Sequence, residues 1–275
     1  NFFDFPAPGS TERIPPFHRN EFGFTNGGPV YIPHLYDGRG RTYYFGQYQG
    51  FRQVLGTTQV LPMPTPAERQ GLDTLTFPDG STDTLDVPVN PQIAAVLARY
   101  PVPNHPSGAY GARTYATHSN VATNADQFSI RIDQQLGKKG QFFARLTEDN
   151  LTGPTTNPDQ TTIDPTFGVQ YLDRQRNVAF SYTRTASPHL TWTSAFSIIR
   201  TTPGFPTPNR TDPGLKFVDS LFEGFNTAAG SVMQAYGNLF QGQQDFAWIH
   251  GAPTLKFGAE GRLFPLSALF LGLAV

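Results

Sequence analysis

Apolar and polar residues alternate in several segments of this chain, which is the pattern of strands with two chemically different faces. Between residues 128 and 133 every second residue is apolar, and the residues between them are Ser129, Arg131 and Asp133. The same alternation returns over 142–147, after the turn sequence GKKG at 137–140. These two segments therefore predict a β-hairpin with a tight connection.

Further segments with this alternation predict an all-β protein in which consecutive strands pair in order, as an antiparallel meander. We expect eight strands, near 20–32, 41–52, 124–136, 141–150, 170–185, 190–202, 241–250 and 254–264.

The connections between these strands alternate between short and long. The long segments are rich in proline, which cannot pair within a sheet interior. In the longest one, Asn90 and Pro91 mark the start of a short helix. Tight turns at one end and long loops at the other are typical of outer-membrane β-barrels. We therefore predict a partial transmembrane barrel over 1–264, with 53–123 as a long extracellular loop that contains the short helix, and 265–275 as a truncated apolar tail.

Composition narrows the class of protein. Lys plus Arg is 20 and Asp plus Glu is 21, so the chain lacks the basic excess of a nucleic-acid binder. Charged residues make up 15% of the chain, against about 25% in ordinary soluble domains. With no cysteine, the chain has neither disulfides nor a thiol nucleophile.

Alternation alone does not distinguish a soluble β-sandwich, which packs its apolar face inward, from a membrane barrel, which turns that face to lipid. Tyr171, Tyr182 and Trp248 suit the aromatic girdles of a barrel. In a barrel, Phe196 and its apolar counterparts face lipid. That set is Phe128, Ile130, Ile132, Phe142, Leu146, Val178, Phe180, Leu190, Phe196, Ile198, Leu255 and Phe257.

The opposite faces of the strands carry the charges, which a barrel turns toward its lumen. The predicted lumen-lining residues are Arg131, Asp133, Arg145, Lys256 and Glu260. We predict no catalytic, cofactor-binding or metal-binding residue, since no two histidines have a metal-ligand spacing and no Gly-x-Ser-x-Gly motif occurs.

Several segments, in order along the chain, resemble Oar-like TonB-dependent outer-membrane proteins. They are NFFD at 1–4, PFHRNEFG at 16–23, GGPV at 27–30, RTYYFGQYQGFR at 41–52, PTPAERQG at 64–71, IAAVLARYPVPN at 93–104, DQFSIRID at 126–133 and LKFGAE at 255–260. Gln49 departs from the glutamate that is usual in this family, and GLD stands at 71–73 in place of the family's GDF.

This resemblance implies part of a receptor or transporter barrel in the outer membrane of a Gram-negative bacterium, moving a bulky ligand such as a glycan or a peptide. It also implies a plug domain in the full-length protein, the TonB energy-coupling complex and outer-membrane lipid as partners, and no enzymatic activity, cofactor or nucleic acid. The alternative hypothesis is a soluble secreted β-rich protein for carbohydrate binding or adhesion.

Overall fold

The computed structural model describes residues 15–155 and 157–271, and most of them belong to one antiparallel sheet. The strands are β1 (Phe17–Pro29), β2 (Tyr31–Ile32), β3 (Tyr36–Asp37), β4 (Thr42–Pro62), β5 (Leu72–Thr76), β6 (Thr82–Asp86), β7 (Thr114–Leu136), β8 (Gly140–Thr155), β9 (Gln170–Ser187), β10 (Leu190–Thr201), β11 (Gly204–Pro206), β12 (Val232–Ile249), β13 (Thr254–Leu263) and β14 (Leu266–Leu271). The helices are α1 (Pro91–Leu97), α2 (Gln160–Ile163) and two 3₁₀ turns, Glu68–Gln70 and Val218–Ser220.

The large sheet has the predicted sequential order, β1-β4-β7-β8-β9-β10-β12, and all of its pairings are antiparallel. β11 lies between β9 and β12, directly beyond β10, and it keeps the register of β10. β14 continues β13 along β12 in the same way. The ten strands of this sheet therefore form the eight that the sequence predicts.

Pro203 and Pro265 cause the two interruptions, because proline has no N–H to donate to the ladder. Their carbonyl oxygens still accept bonds from the neighbouring strand, from Ala235 N and Asn238 N, each at 3.0 Å. The sheet thus keeps its register across both prolines.

The prediction for 265–275 is wrong in part, since most of this apolar tail is strand β14. Sequence reasoning treated Pro265 as an end, although a proline on an edge strand removes only one ladder bond. Residues 272–275 lie outside the described part of the chain, as does the family-like segment 1–4.

The predicted loop 53–123 is shorter than expected. β4 runs to Pro62 and β7 begins at Thr114, and the two strands pair along the whole of the 21-residue β4. The added part carries the sequence GTTQ at 56–59, which has no apolar face. Alternation fails as a signal where both faces of a strand are polar, which explains the error.

The predicted short helix is present as α1. Asn90 is its N-cap and accepts a hydrogen bond from Gln92 N at 2.9 Å, with Pro91 in the first turn. Among the residues that the structure describes, no helix is long and apolar enough to cross a membrane.

The buried core lies at the long-loop end of the sheet. It joins Leu61 to apolar residues from three connections. We call the segments 63–113, 157–169 and 207–231 the loop cap. Its core residues are Met63, Tyr100, Ile163, Phe167 and Phe225.

Candidate functional site

One face of the sheet is apolar across its strands. Residues paired across neighbouring strands share a face, and one such row is apolar on six consecutive strands. The row is Ile130, Leu146, Val178, Ile198, Phe240 and Leu263. Phe128, Phe196 and Phe257 on this face are 45%, 44% and 57% exposed. Within residues 15–155 and 157–271, no protein layer packs over this apolar face.

The opposite face, the polar face, carries all five residues that the sequence singles out. Arg131 lies directly opposite Arg145, and Asp133 is two residues further along β7. Glu260 and Lys256 lie on the same face, four strands away from β8. The structure thus places Arg131, Asp133 and Arg145 together and leaves Glu260 and Lys256 apart from them.

Arg131 is held in place on the polar face. Its Nε and Nη2 atoms donate to the two carboxylate oxygens of Asp133 at 2.8 and 2.6 Å. The guanidinium also lies 4.1 Å from the ring centroid of Phe143 on β8. This bidentate, stacked geometry is one that lysine could not reproduce.

Two cations of the polar face have no such partner. Within 15–155 and 157–271, Arg145 donates only to Ser129 Oγ, at 3.3 Å, and neither Arg145 nor Lys256 has a carboxylate within ion-pair distance. Glu260 pairs instead with Arg262. The polar face therefore carries two cations without a direct ion pair, and the nearest carboxylates on their depressions are Asp149 beside Arg145 and Asp245 beside Lys256.

Aromatic residues mark the tight-turn end of the apolar face. Tyr182 packs edge-on against Trp192, with ring centroids 5.2 Å apart, and Trp248 lies on the same face. Tyr171 is an exception to our expectation, since it lies on the polar face and packs on Phe205. Tyr171 lies beyond the register irregularity between Thr152 and Thr155, where β9 begins directly after segment 157–169 of the loop cap.

Arg99 lies in segment 63–113 of the loop cap and connects it to segments 157–169 and 207–231. It forms ion pairs with Asp164 at 2.5 Å and Asp212 at 2.8 Å. Its guanidinium also lies 5.1 Å from the ring centroids of both Phe167 and Phe225. The hydrogen bond from Arg99 holds the pKa of Asp212 below its usual value.

Gln160 forms a second, fully buried link in the loop cap. Its amide nitrogen donates to Glu223 Oε1 at 2.7 Å and to the Gly224 carbonyl at 2.9 Å, and its oxygen accepts from Thr227 N at 3.0 Å. Burial raises the pKa of Glu223. Gln160 thus joins segment 207–231 to α2 through three hydrogen bonds.

The family-like sequence PTPAERQG at 64–71 forms a capping box, in which a threonine and a glutamate three residues later satisfy each other's backbone N–H groups. Thr65 N donates to Glu68 Oε2 at 2.7 Å, and Glu68 N donates to Thr65 Oγ1 at 3.2 Å. Glu68 also pairs with Arg113 at the far end of the loop. Sequence reasoning missed this role, although the T-x-x-E spacing was a readable signal.

The family-like sequence YPVPN at 100–104 is bound to the same loop and to β7. Arg69 Nη2 donates to the Pro101 carbonyl at 2.7 Å. The side-chain amide of Asn104 both donates to Ala116 O and accepts from Ala116 N, each at 2.8 Å, as a paired strand would. The family-like residues of this loop therefore contribute several of the hydrogen bonds that hold it folded.

Gly71 allows a direct test of how closely the loop 63–113 is packed. It has φ +87°, and a Cβ atom would lie 1.9 Å from the carbonyl oxygen of Val87. Gly80 has nearly the same φ, +83°, but open space around it. We expect Gly71→Ala to speed tryptic cleavage after Arg69 strongly, because the clash adds to the cost of about 1–2 kcal/mol that a left-handed alanine incurs at either site. Equal cleavage of Gly71→Ala and Gly80→Ala would show that the close approach does not matter.

The loop cap packs on the side of the polar face. Ser119 of β7 lies on the same face as Arg131, and its hydroxyl is 3.1 Å from Thr161 Oγ1 of α2. Glu223 N donates to the carbonyl of Pro62, the last residue of β4, at 2.8 Å. No cluster of three or more histidine, aspartate or glutamate residues that could hold a metal ion occurs in the part of the chain that the structure describes.

Comparison with known proteins gives one match. The model of a family described as an outer membrane beta barrel domain matches residues 1–269. Searches of the curated proteins and of the solved structures found no match. The match spans nearly the whole chain and agrees with a two-faced antiparallel meander, so the chain belongs to the outer membrane beta barrel domain family and is a protein of the outer membrane.

Proposed function

We propose that this chain forms part of the barrel of a TonB-dependent outer-membrane receptor or transporter that moves a bulky ligand, such as a glycan or a peptide. The observation that carries the proposal is that the loop cap packs on the same side of the sheet as the charged face. In a barrel that side is the lumen, so an arriving ligand meets the cap before it reaches the polar face.

The two cations without a direct ion pair support a role in binding. Arg145 and Lys256 have no carboxylate partner among the described residues, and charged groups lining a lumen set its selectivity. They could meet anionic groups of a ligand or of a plug domain. Arg131, Asp133 and Glu260 line the same lumen, where their ion pairs keep the wall ordered.

The proposed partners are outer-membrane lipid on the apolar face and, in the full-length protein, a plug domain with the TonB energy-coupling complex. The resemblance of segments 41–52, 64–71 and 126–133 to Oar-like proteins supports these partners. The role is non-enzymatic and needs neither a cofactor nor nucleic acid, because the barrel acts by enclosing a path through the membrane.

Spin labels at residues 130 and 131 test which face meets lipid. In the full-length protein in bilayers, we expect a spin label at position 130 to be accessible to a lipid-soluble relaxation reagent. A label at position 131 should be accessible to a water-soluble one. The reason is that Arg or Lys on the lipid face near the midplane costs about 2–4 kcal/mol. The reverse pattern would overturn the lumen assignment and favour the soluble carbohydrate-binding or adhesion alternative.

Uptake of fluorescent oligosaccharides and peptides of graded size tests the transport role itself. We expect cells with the protein to accumulate at least one size class in the periplasm, and a protonophore to abolish that accumulation. Equal accumulation in cells that lack the protein, or accumulation insensitive to the protonophore, would contradict energy-coupled transport.

A further inference from the structure

We propose that a patch of three arginines on the apolar face binds the phosphate group of an anionic lipid in the outer leaflet. The patch consists of Arg174 and Arg176 on β9 and Arg200 on β10, together with Tyr236 on β12. It rests on the lipid-facing assignment of the apolar face and does not depend on transport.

The position of the patch is the first argument. Arg176 and Arg200 pair with each other across β9 and β10, directly beyond the apolar pair Val178 and Ile198. A step of two residues along a strand is about 7 Å, so these guanidinium groups begin where the apolar band ends. This is the long-loop end of the sheet, which in outer-membrane barrels is extracellular. The patch therefore lies at the depth of the outer-leaflet headgroups.

The charge balance of the patch is the second argument. Glu148 pairs with Arg174, whose Nε donates to it at 2.8 Å, and with Arg176 at 3.6 Å. Arg200 has no carboxylate partner in the described ranges, and its guanidinium lies 5.7 Å from the ring of Tyr236. On the apolar face, three positive charges thus share one negative charge, which leaves a net charge that an anionic headgroup would neutralise.

The shape of the surface is the third argument. Arg174, Arg176, Arg200 and Tyr236 line one depression between β9 and β12, together with Asp173, whose position on β9 belongs to the polar face. All three arginines are exposed and can turn their donors into it. Guanidinium groups suit phosphate because they offer paired donors in a plane.

A second cluster of charged residues on the same face has balanced charges. Arg52 on β4 is matched by Asp126, at 2.7 Å, and Asp126 also accepts from Tyr48 Oη at 2.6 Å. That cluster is neutral and saturated. An excess of positive charge is therefore a property of the β9–β10 patch and not of every arginine beyond the apolar band.

Lipid retention measured by native mass spectrometry tests the proposal. The full-length protein is transferred from micelles that contain equal amounts of phosphatidic acid and diacylglycerol, which differ only in the phosphate. We expect the wild type to retain phosphatidic acid preferentially. Arg200→Gln should lower that retention about fivefold, in line with the contribution of one basic residue near a membrane surface.

Arg184→Gln is the matched control, because Arg184 lies on the same strand and face as Arg176 but at the tight-turn end, opposite Trp192. It should keep the wild-type retention. Heat-modifiable migration on gels shows whether each variant is folded, and Arg176→Gln provides a second variant should Arg200→Gln fail to fold. No preference for phosphatidic acid, or equal retention by Arg200→Gln, Arg176→Gln and the wild type, would overturn the proposal, as would displacement of the lipid by millimolar inorganic phosphate.

Discussion

Replacing Phe225 with alanine should unfold the loop cap and leave the sheet intact. Phe225 is fully buried, and its ring packs edge-on against Phe167 with centroids 4.7 Å apart. It also lies 5.8 Å from the ring of Tyr100 and under the Arg99 guanidinium. Loss of a buried phenylalanine costs about 3–5 kcal/mol. That is large for a core to which the sheet contributes only Leu61 and whose other members come from loops with limited backbone pairing.

Hydrogen exchange on the purified full-length protein measures this effect. Peptides from 63–113 and 207–231 should exchange much faster in Phe225→Ala, whereas peptides from β8 and β9 should keep their wild-type rates. Val218→Ala is the control in the same segment, because Val218 is 82% exposed and its loss should change stability by less than about 0.5 kcal/mol. Equal exchange in both variants would show that the cap lacks a cooperative core.

An arginine in place of Phe196 should impair membrane folding far more than an arginine at its neighbour Ser197. Phe196 is paired with Phe180 on the apolar face, and Ser197 is paired with Ala179 and Gln241 on the polar face. The charge in lipid costs about 2–4 kcal/mol, and the lost apolar contact adds to it. We expect urea titrations of folding into lipid vesicles to show this loss for Phe196→Arg.

Ser197→Arg introduces the same side chain one position away, where its neighbours are uncharged and the lumen is wet. Its unfolding midpoint should stay close to that of the wild type. If Ser197→Arg were the more damaging variant, the polar face would be the lipid-facing one and the register argument would be reversed.

The strands could be predicted where their two faces differ chemically. Residues 128–133 predict a strand because successive side chains of a barrel strand face lipid and lumen in turn, so apolar and polar residues alternate along the sequence. The same rule fails at 56–59, where threonine and glutamine serve both faces of β4. It fails again at Pro265, where a strand continues past a residue that sequence reasoning treats as a terminator.

The candidate site could be predicted only in part, because alternation is a local signal and does not show which remote residues come together. The positions of Arg131 and Lys256 on one face follow from alternation, which is local. The ion pairs of Arg99 with Asp164 and Asp212 join residues that are remote in sequence and are brought together by packing of three loops. Likewise, the patch around Arg200 draws on β9, β10 and β12, so it depends on the register between strands and not on any one of them.

The alternation of tight and long connections has a consequence for the order in which this sheet assembles. The pairs β7–β8, β9–β10 and β12–β13 are each closed by a few residues, so bringing their strands together costs little chain entropy. The pairs β4–β7, β8–β9 and β10–β12 join residues separated by long segments, and their closure costs more chain entropy. We therefore expect the strands of each hairpin to pair before neighbouring hairpins join. Gln160 and Arg99 join one long connection to another, so they hold these connections together at the long-loop end once the hairpins have joined.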